Sequence, residues 1–105
     1  MKYSIESIAA YNLDNYLDRN KGDIEIWDVR SKKEYLEGHL KGAINIPYER
    51  AAQDRKKPDN DRIVLVYCSR GGRSMRVAKL LFYRGYKVAN VVGGIKAYSG
   101  KNIIK

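Results

Sequence analysis

Three short apolar runs stand out along the chain, at residues 24–29 (IEIWDV), 63–68 (IVLVYC) and 88–92 (VANVV), each bounded by polar residues or glycine. Runs of this length, rich in β-branched and aromatic side chains, predict β-strands. The near-continuous apolar character of IVLVYC suits a central strand covered on both faces. A weaker fourth strand is read at residues 43–46 and a first one near residues 3–8. Helical periodicity is clearest over 73–84, where Val77, Leu80, Leu81 and Tyr83 recur at helical spacing before Gly85 stops the pattern. Residues 13–17, behind Asn12, make a shorter helix. Ser31 and Glu34 form a capping-box pair for a turn or two reaching Glu37, with Gly38 as the stop. Residues 95–98, after Gly93-Gly94, predict one last turn. Strands alternating with helices in so short a chain predict an α/β fold, a mainly parallel sheet of four or five strands with helices on both faces.

No repeat, low-complexity tract or Ser/Gly linker divides the 105 residues, a length that accommodates one domain over 1–105 and not two. The polar stretch 53–62 (QDRKKPDNDR), alternating in sign around Pro58, reads as an exposed loop inside that domain. Lys and Arg number 21 against 12 Asp and Glu, so the chain carries a formal charge of +9, which favours anionic substrates or partners. The single cysteine, Cys68, excludes an internal disulfide framework, and with one histidine, His39, no Cys/His metal centre is expected. Glu6 falls where a secretory leader would carry its apolar core, and no stretch approaches the ~18 apolar residues of a membrane span. A cytoplasmic, reducing location is therefore expected, with no membrane partner.

The chemistry concentrates in Tyr67-Cys68-Ser69-Arg70-Gly71-Gly72-Arg73-Ser74. An apolar strand ends at a cysteine, two glycines permit a tight loop, and a helix begins at about Arg73 or Ser74. Successive backbone N–H groups of such a loop can turn inward as a nest, and the open N–H groups of the helix start add partial positive charge. Both stabilise an anion at the sulfur, so the thiol is expected to ionise below the ~8.5 of a free cysteine, with Arg70 and Arg73 adding to the effect if they turn inward. An isolated cysteine at the end of an apolar strand is ordinarily a small core residue. A core cysteine, however, needs neither a glycine-rich loop nor cations beside it.

Two separated motifs resemble those of the single-domain rhodaneses, the sulfurtransferase family. The first runs through Ile26-Trp27-Asp28-Val29-Arg30, Glu34-Tyr35, Glu37-Gly38-His39-Leu40 and Gly42-Ala43-Ile44-Asn45-Ile46-Pro47. The second is the Tyr67-Cys68 to Ser74 loop, followed by Ala78, Leu81, Gly85-Tyr86 and Val92-Gly93-Gly94. The resemblance covers nearly the whole chain and implies a rhodanese-like domain. In it Cys68 would accept a sulfane sulfur, becoming a persulfide that a thiophilic acceptor such as cyanide or a thiol removes. It further implies that the amides of Ser69, Arg70, Gly71, Gly72, Arg73 and Ser74 cradle the persulfide and the departing oxyanion. Arg73 would meet an anionic sulfur donor such as thiosulfate, and a protein persulfide is a further candidate partner; no cofactor is implied. Related cysteine phosphatases and arsenate-handling enzymes place an arginine six residues after the nucleophile, in a loop one residue longer. Here that position is Ser74. A non-catalytic binding module on the same fold is the main alternative to an enzyme.

Other residues invite functional readings and are assigned structural ones. Asp28 and Arg30 are expected in structural pairing near the site, Arg30 with Glu34 or Asp28 with a loop backbone. His39 is expected to cap a turn at the Gly38 break rather than act as a base. Trp27 and the nine tyrosines carry no nucleic-acid signature. Arg55, Lys56 and Lys57 are interleaved with Asp54, Asp59 and Asp61, so no dedicated nucleic-acid site is expected there. Ile103-Ile104-Lys105 hints at a packed or exchanged terminus.

Overall fold

The computed structural model describes residues 4–53 and 62–105. Five strands build one sheet: β1 (Glu6–Ala9), β2 (Ile24–Asp28), β4 (Ile44–Asn45), β5 (Ile63–Tyr67) and β6 (Val88–Val92). Their order is β1-β6-β5-β2-β4, and every pairing in it is parallel. The helices are α1 (Leu13–Arg19), α2 (Lys32–Glu37), α3 (Tyr48–Ala52) and α4 (Gly72–Tyr83). A two-residue pair, β3 (His39–Leu40) with β7 (Ile103–Ile104), is antiparallel and lies outside the main sheet.

Side-chain alternation along β5 sorts the core into two layers, as the period of two requires. Val64 and Val66, with Trp27, Val29, Ile46 and Val88, pack beneath Ala51 of α3 and Val77, Ala78 and Leu81 of α4. Leu65 and Tyr67, with Ala89 and Val91, pack against Leu13 and Tyr16 of α1, with Tyr35 of α2, Leu40 and Ile103 beside them. Burial on both faces explains why IVLVYC reads as an unbroken apolar run. At roughly 1.5–3 kcal/mol per fully buried large apolar side chain, these two layers dominate the stabilisation.

The capping box at Ser31 and Glu34 forms, with reciprocal bonds of 3.2 Å, and α2 stops at Gly38, whose φ is +154°. The first strand is Glu6–Ala9, with residues 4 and 5 outside it and residue 3 outside the described residues, and the fourth shrinks to Ile44–Asn45. Helix α4 starts earlier than expected, at Gly72, because Gly71 caps it in the left-handed region at φ +109°. The reading of 53–62 as loop holds for Gln53 and Arg62, which are described; Arg55, Lys56 and Lys57 lie outside the described residues. Helix α3 directly precedes that stretch and was not foreseen. The C-terminal Ile103-Ile104 packs on its own chain: Lys41 N donates to Asn102 O at 2.7 Å, and Asp14 accepts from Tyr98 Oη and, at 2.7 Å, from Asn102 Nδ2. Among the described residues no helix is long and apolar enough to cross a membrane.

The topology also locates the site. From β2 the chain moves to β4 on one side, and from β5 it moves to β6 on the other, so the carboxyl ends of β2 and β5 flank the point where the winding reverses. In open parallel sheets that crevice is where ligands bind. Arg30 follows β2 and Cys68 follows β5.

Candidate active site

Cys68 is 5% exposed and sits at the floor of an open cavity of about 250 Å³ walled by Arg30, Ser69, Arg70, Gly72 and Arg73. The left-handed turn at Gly71 folds the chain back over the sulfur. As a result Gly71 N donates to Cys68 Sγ at 3.0 Å and Ser74 N at 3.5 Å. Ser74 is fully buried, its Oγ 3.4 Å from Sγ and donating to Gly71 O at 3.1 Å. A hydroxyl rotates freely, so it accepts from a thiol and can donate to a thiolate.

Burial alone would push the Cys68 thiol up. The Ser74 hydroxyl and the Ser74, Gly71 and Arg70 amides outweigh it and hold the thiol below its ordinary value. The expected lowering is present, and it comes from neutral dipoles. Arg70 and Arg73 line the cavity with exposed side chains instead of folding onto the sulfur. Of the six loop residues, Gly71 and Ser74 bond the sulfur most directly, while Ser69 Oγ turns away to donate to Glu34 Oε2 at 2.9 Å. That bond is the leading cause holding the Glu34 carboxyl below its usual range.

Asp28 and Arg30 pair with one another, not Arg30 with Glu34. Arg30 Nε and Nη2 reach Asp28 at 3.0 and 2.7 Å, forming a bidentate fork, and Asp28 Oδ1 also accepts from Arg30 N at 2.9 Å. Asp28 is the last residue of β2 and Arg30 follows it by two, a spacing that brings fork and carboxylate together. Arg30 Nη2 also donates to Gly38 O at 2.7 Å. Tyr67 Oη donates to Asp28 Oδ2 at 2.7 Å and accepts from Leu40 N at 3.0 Å. Burial opposes the Arg30 cation, but the bonds and charge of Asp28 more than compensate, and the pKa of the guanidinium is raised. Burial, reinforced by Asp28, lifts the Tyr67 phenol well above its ordinary value. The network is a rigid wall under the cavity, and Asn45 ties it to β4 by donating to Asp28 O at 3.1 Å and Arg30 O at 3.0 Å.

The sequence reading missed the brace behind the loop. Ile95 N donates to Cys68 O and Lys96 N to Ser69 O, both at 3.0 Å, which presses Gly94 against the Cys68–Ser69 backbone. The signal was the Gly93-Gly94 pair itself, since close backbone approach calls for glycine. His39 takes its structural place: its ring stacks on Tyr35 at 3.8 Å and its Nδ1–H donates to Tyr35 O at 2.8 Å. Trp27 is fully buried and donates from Nε1 to Glu25 Oε2 at 2.6 Å.

Residues 10–101 match the rhodanese-like domain model. The chain belongs to the rhodanese-like domain family. A rhodanese-like domain protein of Staphylococcus aureus superposes with a TM-score of 0.82 at 28% identity, covering 95% of this chain and 97% of that one. A thiosulfate sulfurtransferase GlpE of Coxiella burnetii is 35% identical over 79 residues, 74% of each protein. A probable molybdopterin-synthase adenylyltransferase of Porphyra purpurea is 36% identical over 104 residues, 97% of this rhodanese-like chain but 27% of its own length. Relatives of this rhodanese-like domain thus include proteins named as sulfurtransferases and a larger protein of which the chain spans about a quarter.

Proposed function

We propose that residues 1–105 act as one rhodanese domain that carries sulfur as a Cys68 persulfide. The observation that carries this reading is the ring of polar groups on Sγ: two loop amides donate to it, the buried Ser74 hydroxyl stands 3.4 Å away where it can turn to donate to a thiolate, and the sulfur also faces an open cavity. A structural cysteine has no use for such a ring, whereas a thiolate nucleophile and its persulfide both need one. The Cys68 thiolate attacks the outer sulfur of thiosulfate or of a persulfide or polysulfide, and the donor's S–S bond breaks. Sulfite or a thiolate leaves past Arg73, and the loop amides hold the persulfide anion until cyanide or an acceptor thiol removes the sulfur. Ser69, Arg70, Gly71, Gly72, Arg73 and Ser74 make up the substrate loop, with Asp28 and Arg30 as its structural support. The chemistry calls for no metal or organic cofactor, and a reducing cytoplasm suits a lone thiol of this kind.

A phosphatase or arsenate-reductase role fits less well. Among the described residues no carboxylate lines the cavity to protonate a leaving group, and Ser74, not arginine, holds the sixth place after the nucleophile.

Intact-protein mass after incubation with thiosulfate, and again after cyanide or dithiothreitol, tests the proposal. One added sulfur atom is expected, removed by the acceptor and absent from Cys68→Ser. No sulfur gained from thiosulfate or a polysulfide, with the thiol reduced and accessible, would favour the non-catalytic binding module.

A further inference from the structure

The positive charge is not spread along the chain. Residues 62–105 contain ten lysines and arginines and no aspartate or glutamate, whereas residues 1–61 hold all twelve acids against eleven cations. The basic half is the half that carries Cys68. Its cations gather beside the site on the outward face of α4, where Arg73, Arg76 and Lys79 follow at spacings of three and are exposed. Tyr83, 84% exposed, extends the same face to a length of about 15 Å at 1.5 Å per residue. None of Arg70, Arg73, Arg76 and Lys79 has an ion-pair partner among the described residues, where the Arg30–Asp28 pair takes up an inward-facing cation. Ion pairs with acids of the same helix would normally blunt such a stripe; α4 has no acid to offer.

A second cavity, of about 550 Å³ and lined by Tyr48, Glu49, Gly72, Arg73 and Arg76, shares Gly72 and Arg73 with the Cys68 cavity. The stripe therefore runs into the thiol site without a break. Among the described residues Glu49 is the one carboxylate in that lining, and it forms no salt bridge with either arginine. Thiosulfate needs no more than the loop and Arg73, so a small anionic donor leaves Arg76, Lys79 and Tyr83 unaccounted for.

We propose that the outer face of α4, from Arg73 through Arg76 and Lys79 to Tyr83, docks an acidic segment of a protein sulfur carrier, seating the carrier's cysteine over Cys68. This deepens the sulfurtransferase reading and rests on it. The exchange balances without an outside oxidant. Cys68 thiolate attacks the terminal sulfur of the carrier's R–S–SH, the carrier's S–S bond breaks, and the carrier leaves as R–S⁻ while Cys68 holds S–SH. Nucleic acid is the competing anion for a basic face. The protein carrier is favoured because the stripe opens into a thiol pocket, which a polynucleotide has no group to enter.

The test uses synthetic peptides bearing one cysteine persulfide, one Asp/Glu-rich, one Lys-rich and one Ser/Gly-rich, with thiosulfate as the small donor. Sulfur loading of Cys68 is followed by intact mass at low and at high salt. The acidic peptide is expected to load the protein about tenfold faster than the Lys-rich one at low salt, and the advantage should shrink as salt screens the face. The Arg76→Glu/Lys79→Glu double variant should abolish that advantage while thiosulfate loading stays within about twofold. Equal rates for the three peptides, or an advantage that survives the double variant, would overturn the docking face while leaving the persulfide chemistry intact. So would a single-stranded oligonucleotide that displaces the acidic peptide and binds more tightly through the same residues. No loading from any donor, thiosulfate and polysulfide included, would instead overturn the sulfurtransferase reading beneath it.

Discussion

Gly94 offers the most demanding check on how the site is held. Its φ of +66° and ψ of −169° lie in a region that only glycine occupies without strain. A Cβ there would stand 2.5 Å from Ser69 C and 2.6 Å from Cys68 O, and both are backbone atoms that cannot swing aside. Restoring ordinary contact at 3.5 Å or more forces the Cys68–Ser69 segment back by about 1 Å. That retreat pulls on the bonds from Ile95 N and Lys96 N, both 3.0 Å. Backbone strain of about 1–3 kcal/mol and overpacking of about 1–3 kcal/mol add to roughly 4 kcal/mol for Gly94→Ala. For a domain of this size that lowers Tm by about 15–20 °C. Gly22→Ala is the matched control, since Gly22 has φ +84° with nothing within 4 Å of a Cβ. It should cost about 1 kcal/mol and about 5 °C. Thermal unfolding of both variants, with iodoacetamide alkylation of Cys68 below the melt, separates strain from displacement. The alkylation rate should fall by up to about 10²-fold for Gly94→Ala and hold for Gly22→Ala. Melting points within about 3 °C of one another, with equal alkylation rates, would refute the claim that the Gly94 turn braces the loop.

Two further outcomes follow from the hydrogen-bond networks. Burial raises the Cys68 thiol and the Ser74 and Gly71 donors lower it by more, so the alkylation rate against pH should show its midpoint below that of a free thiol. Ser74→Ala should move the midpoint upward, and a midpoint that stays put would remove Ser74 from the argument. The linkage has a definite sign: a thiol that is a stronger acid when folded adds stability above the free-thiol pKa, and that increment is lost as pH falls through the folded midpoint. Asp28→Ala leaves the Arg30 guanidinium buried without its carboxylate, with a side-chain exposure of 8%. Urea unfolding should show a loss of about 3–5 kcal/mol, and a loss under about 1 kcal/mol would mean that water or Tyr67 replaces the pairing.

The sequence carried the central strands, α4 and the capping box of α2 because each of these obeys a local rule: an apolar run, a period of three and four, a Ser-x-x-Glu pair. Helix α3 was illegible because Tyr48–Ala52 is only five residues long, too short for a periodicity to register, and is held instead by Ala51 in the core and by Tyr48 N on Val29 O at 3.0 Å. The β3–β7 pair brings residues 39–40 to 103–104, a pairing that no local pattern encodes. At the site, Cys68 and its loop were readable from the strand–glycine–helix order. The Arg30 partner was not, since Asp28 and Glu34 stand at equally usable spacings, and only the burial of Asp28 at the end of β2, beneath the Tyr67 hydroxyl, decides between them. Glu34 was seen as a helix cap, and its second bond, to Ser69, depends on a fold that sets residues 34 and 69 side by side.

The division of labour among the polar groups also bears on selectivity. Had Arg70 or Arg73 activated the thiol, each would be bound to the sulfur, and any donor's charge would compete with that contact. Amides and a buried hydroxyl lower the Cys68 thiol instead, and they cannot leave or be titrated near neutral pH. Arg30, the buried cation of the cavity wall, is neutralised by Asp28. The exposed cations at the rim are consequently free to recognise what delivers or collects the sulfur. On the proposed reading, substitutions at the rim should change which donor is used, through encounter rate and KM. Substitutions among Gly71, Ser74 and Gly94 should change how fast any donor reacts. A rim variant that slowed a neutral persulfide as much as an anionic one would contradict that separation.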